Sequence, residues 1–137
     1  VTILNYAWVD ADGLITRGKS EAIEVLPEGA VQLDAPPSMY LGKYATFDGE
    51  GAVEAWHDRP SSPVPDLQTG APFDQTWAVP AGTVVEVYDT APWEKLDGAA
   101  MESGGVVQVH LPDPGTYVLE ITAPPPYRAV RIQVVSE

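Results

Sequence analysis

The 137-residue chain contains no cysteine, which removes disulfide frameworks, thiolate-ligated zinc and thiol nucleophiles. Basic residues are scarce: seven Lys and Arg stand against twenty Asp and Glu, for a formal charge of −13. A surface of that sign repels phosphate backbones and anionic lipid, so nucleic acid and membrane surfaces are not expected partners. No apolar run approaches the roughly 20 residues of a spanning helix, so no membrane insertion is expected. Residues 1–10 show no basic n-region and no small-residue cleavage site, and Val1 is small enough to follow a trimmed initiator methionine. Synthesis in the cytoplasm is the resulting expectation. Helical patterning is missing too, since no stretch of 12 residues keeps an uninterrupted 3.6-residue period.

Proline and glycine, by contrast, are plentiful, at 14 and 12 residues. With 45% hydrophobic and 20% charged residues, they favour turns and short strands over a disordered acidic tail. Pro60, Pro63, Pro65, Pro72 and Pro80 fall between Arg59 and Ala81. Proline lacks the N–H that a sheet ladder requires, so residues 60–76 read as an extended connector. It divides an N-terminal β unit, residues 1–59, from a C-terminal unit, residues 77–137. Acidic residues outnumber basic ones in all three segments, as befits a solubilising surface without a charged tail.

Period-2 alternation is clearest in the C-terminal unit. Residues 83–88 follow a Pro80-Ala81-Gly82 turn, and residues 106–111 put Val107, Val109 and Leu111 on one face. Pro112-Asp113-Pro114-Gly115 is a turn signal, because proline presets φ and glycine accepts positive φ. Residues 116–122 then turn Tyr117, Leu119 and Ile121 inward, and residues 127–134 turn Val130, Ile132 and Val134 inward. Such alternation between short turns predicts antiparallel strands, here a small β-sandwich, with a further strand at 77–79. The N-terminal unit reads as strands at 2–9, 14–17, 31–33, 40–47 and 52–57, with 22–26 either a strand or one helical turn. The expected fold class is all-β, in two small antiparallel units.

Few residues suggest chemistry. Asp10-Ala11-Asp12-Gly13 has the opening of a calcium loop, but Leu14 stands at its fifth position and no helix flanks it, so a hairpin turn is the better reading. His57 and Asp58 are adjacent, which in a strand sends their side chains to opposite faces. His110 falls on a solvent face, and two histidines at unrelated spacing define no metal site. Twenty carboxylates on a small chain bring some pair to glycosidase spacing by chance, but units of this size build no deep cleft readily. No enzyme activity, cofactor or metal is therefore expected. Among the aromatic residues, most of which serve as core anchors, Trp93 in the expected loop 90–95 and Tyr127 after Pro124–Pro126 are candidates for ligand or partner contact. A ring beside proline is a rigid surface for a sugar face or a protein.

Two sets of residues resemble known families. Asp113-Pro114-Gly115-Thr116-Tyr117 with the following strand and residues 127–134 resembles the last hairpin of immunoglobulin-like and fibronectin-type modules, implying an immunoglobulin-like C-terminal β-sandwich. Residues 5–15 (Asn5-Tyr6-Ala7-Trp8-Val9-Asp10-Ala11-Asp12-Gly13-Leu14-Ile15) and residues 53–63, with Trp56, Arg59, Pro60 and Pro63, resemble tail-fibre-associated and other virion structural proteins of tailed bacteriophages and prophages. That resemblance implies a non-enzymatic structural or attachment subunit of a virion, made in the host cytoplasm. Its partners would be other virion subunits, copies of itself in a homo-oligomer, and a host surface glycan. A carbohydrate-binding or adhesion module is the alternative.

Overall fold

The structure is a computed structural model that describes residues 2–67 and 70–137. The reading of Val1 and of residues 68 and 69 within the expected connector lies outside the described residues. The fold is all-β, and the described residues form eleven strands and one 3₁₀ turn at Pro37–Tyr40. The chain divides into two compact units, Val1–Arg59 and Pro60–Glu137.

Unit 1 contains β1 (Ile3–Val9), β2 (Ile15–Ala22), β3 (Val31–Leu33), β4 (Lys43–Phe47) and β5 (Val53–Asp58). The first three form an antiparallel sheet in the order β2-β1-β3, and β4 pairs with β5. Strand β2 outruns the expected 14–17, and residues 23–26 lie beyond its end in neither a strand nor a helix. The two hairpins are local repeats. Tyr6-Ala7 and Tyr44-Ala45 each lead, three residues after the alanine, to Asp10 and Asp48, then to Gly13 and Gly51. Asp10 Oδ1 accepts from the backbone N–H of Asp12 and Leu14 at 2.9 and 3.0 Å. Asp48 Oδ1 accepts from Glu50 and Ala52 at 2.8 and 3.0 Å. Both glycines take φ +84°, and both ladders shift register just before the turn. The short aspartate side chain supplies the turn with the acceptor that a longer one would carry out of reach. Ala45 N–H donates to Gly13 O at 2.8 Å, so the second hairpin rests on the turn of the first.

Unit 2 contains β6 (Phe73–Val79), β7 (Thr83–Thr90), β8 (Trp93–Met101), β9 (Gly105–Leu111), β10 (Gly115–Thr122) and β11 (Val130–Ser136). One sheet runs β11-β10-β7-β8 and the other pairs β6 with β9. Phe73, Trp77 and Val79 from β6 and Val107, Val109 and Leu111 from β9 share a core with Val85, Val87, Tyr117, Leu119, Ile121 and Val134 of the larger sheet. This order is that of an immunoglobulin-like sandwich, with β6 and β9 as strands B and E and β8-β7-β10-β11 as C′-C-F-G. Tyr117 at the start of the F-like strand donates its hydroxyl to Asp113 O at 2.9 Å, the corner tyrosine of that architecture.

Three boundaries differ from the sequence reading. Phe73, Gln75, Trp77 and Val79 alternate inward, so β6 begins within the expected connector. Residues 60–63 are extended but do not stand free. Ser61 bridges Arg128 in parallel, and the buried Ser62 hydroxyl donates to Arg128 O at 2.7 Å while accepting from Ala123 N–H at 3.1 Å. Trp77 Nε1 donates to Pro63 O at 3.0 Å. The proline stretch thus belongs to unit 2, because its backbone groups find partners there. Finally, residues 90–95 are no single loop: Trp93 opens β8, an edge strand whose side chains are almost all exposed and so show no alternation.

Candidate functional site on the outer sheet face

The outward side chains of the larger sheet follow from its register. Val118 stands opposite Tyr88, Glu120 opposite both Glu86 and Arg131, Tyr88 opposite Lys95, and Thr90 opposite Trp93. These pairings gather the chemistry of four strands into one cluster. The Trp93 indole is 55% exposed and lies over the Tyr88 ring, with centroids 5.2 Å apart and planes 18° from parallel. Tyr88 donates its hydroxyl to Glu86 Oε2 at 2.9 Å, and Lys95 Nζ lies 3.0 Å from the same oxygen. Arg131 pairs with Glu120 and brings its guanidinium to 5.7 Å from the Trp93 ring centroid. Lys95 and Tyr88 together hold the Glu86 carboxyl below the usual carboxylate range. The hydrogen bond that it donates to Glu86, with desolvation, pushes the Tyr88 phenol up to about 12. Further along the same face, toward the connection between β10 and β11, lies a depression of about 230 Å³ lined by Glu120, Thr122, Ala129, Val130 and Arg131.

Tyr127 is half-buried in the connection between β10 and β11, at the far end of the sheet from Trp93. Strand rise puts on the order of 20 Å between them, so the two candidates do not share one surface. The sequence-derived acid–base candidates separate as well. Asp58 turns to Lys43 at 2.8 Å, which lowers its pKa, while His57 meets Thr46 Oγ1 at 3.1 Å. His110 Nδ1 is 3.6 Å from Asp74 Oδ2. Among the described residues no group of three or more His, Asp or Glu could hold a metal ion. Sequence reasoning named Trp93 but not Glu86, Tyr88, Lys95, Glu120 and Arg131 as members of one site. Alternation already turns Glu86, Glu120 and Arg131 outward; strand order, which brings them together, is not local information.

A second surface lies where the sheets part. Among the described residues β9 pairs only with β6, which leaves one backbone edge of β9 beside a groove of about 210 Å³. Val87, Leu96, Asp97, Val109 and Leu111 help to line it.

The fold and these two surfaces define an all-β chain whose second unit packs a four-stranded antiparallel sheet and a two-stranded one around a shared core. Comparison of the sequence with family models and with curated proteins, and of the fold with solved structures, gave no match.

Proposed function

We propose that this chain is a non-enzymatic structural or attachment subunit of a tailed-phage virion, made in the host cytoplasm and assembled with its own copies and other virion subunits. The observation that carries the assembly role is the β9 edge. Seven residues, without a formal charge at neutral His110, lie along a groove that reaches core valines. An uncharged flat edge is a template for a strand from a neighbouring subunit. Support for the non-enzymatic reading comes from the carboxylates that do meet. A glycosidase acid needs a raised pKa, whereas Glu86 is held low by Lys95 on an exposed sheet face. The exposed Trp93 ring favours the second reading, a carbohydrate-binding or adhesion module.

Light scattering on the purified chain, with co-sedimentation on tail particles, tests the assembly role. Multimers should form, and Val106→Lys, which adds an edge charge at a 65% exposed position, should shift them toward monomer. A wild-type chain that stays monomeric and particle-free overturns the proposal.

A further inference from the structure

We infer that the outer face of the β11-β10-β7-β8 sheet binds a neutral glycan, one pyranose ring on Trp93 and the chain running along the face toward the depression beside Glu120 and Arg131. The inference rests on the attachment role proposed above and names its ligand. A sugar ring offers an apolar C–H face and a rim of hydroxyls, so its site needs a flat apolar platform flanked by a few fixed polar groups. Trp93 supplies the platform, and its stack on Tyr88 holds it in place. The Glu120 carboxylate accepts from hydroxyls, the Arg131 guanidinium donates to them, and Thr122 can do either. Ion pairs to Glu86 and Glu120 already order these side chains, so a ligand meets groups whose conformational entropy is largely spent.

Charge selects among ligands. Glu86 and Glu120 are matched by Lys95 and Arg131, so the face is locally neutral on a chain of −13. The surrounding field repels sialylated or sulfated chains. Arg131 already occupies the cationic position by the Trp93 ring, which disfavours a cationic ligand there.

An array of neutral hexose and N-acetylhexosamine oligosaccharides, printed beside sialylated and sulfated ones, tests this with the full chain. Neutral glycans should bind, Trp93→Ala should weaken binding at least tenfold, and Trp93→Phe should recover part of it. Glu120→Gln should weaken it several-fold. Because Trp93 is exposed, an unchanged circular dichroism spectrum should accompany these losses. Binding confined to anionic glycans, or unaffected by Trp93→Ala, overturns the inference. No glycan binding by a chain that still joins tail particles overturns it too, yet leaves the virion role standing. Glycan binding by a chain that never joins particles removes the virion role alone.

Discussion

The two units use the same strand vocabulary but close their interiors differently. In unit 2, two sheets face each other over twelve buried side chains, and a serine in the proline stretch ties the chain to the F–G end. Among the described residues of unit 1 the buried apolar ones are Tyr6, Ala7, Leu33 and Ala45, two of them alanines. Its order comes instead from aspartate-capped turns and from one hairpin resting on another. At about 60 residues a hydrophobic core alone gives only marginal stability. The contrast therefore locates stability in apolar packing for unit 2 and in backbone geometry for unit 1.

Truncation of the unit 2 core should have the largest effect. Leu119 is fully buried on β10 between β7 and β11, and Leu119→Ala should cost about 2–5 kcal/mol. Chemical denaturation followed by tryptophan fluorescence measures it. A loss below about 1 kcal/mol would show that the sandwich core is not what holds unit 2.

That core was largely legible in the sequence. Val107, Val109 and Leu111, like Tyr117, Leu119 and Ile121, alternate with polar residues because one face meets the core and the other water. Strand β8 was not legible for the converse reason. Trp93-Glu94-Lys95-Leu96-Asp97-Gly98 has no buried face, and its register slips opposite Val87 and Tyr88, so alternation has nothing to report. Pro72, just before Phe73, hid the start of β6 among connector signals. The cluster around Trp93 draws on four strands whose adjacency depends on crossovers, which local periodicity does not encode. The repeated Tyr-Ala and Asp-x-x-Gly positions of unit 1 were visible, but only by aligning one half of that unit with the other.

The twin turns offer a sharper test of unit 1. Gly13 and Gly51 share φ +84°, so replacing either with alanine incurs the left-handed penalty of about 1–2 kcal/mol. Only at Gly13 would the new Cβ meet backbone, 2.0 Å from Ala45 O; at Gly51 nothing lies within 4 Å. Gly13→Ala should therefore cost roughly 1–3 kcal/mol more than Gly51→Ala. It should also speed amide exchange at Ala45, whose N–H bonds Gly13 O. Equal losses in the two variants would mean that contact between the hairpins contributes little to unit 1.

The smallest effect sought is a difference between two phenols. Each unit has a tyrosine that donates to a glutamate, Tyr6 to Glu21 and Tyr88 to Glu86. In both the hydrogen bond is the largest cause, with desolvation second, of a raised phenol pKa. A raised folded pKa means that folding favours the protonated phenol. Tyr88's contribution is complete below its unfolded value near 10 and is lost as pH rises toward about 12. The surroundings then separate the pair. Tyr88 lies on an open sheet face and should ionise in place, giving a phenolate absorbance step that reverses on back-titration with strand dichroism intact. Glu86→Gln should move that step down toward 10. Tyr6 is only 1% exposed, so its ionisation should wait on opening of unit 1 and coincide with a loss of strand dichroism. Both phenols titrating near 10 with the strands intact would remove the distinction, because neither carboxylate would then be holding its proton donor in place.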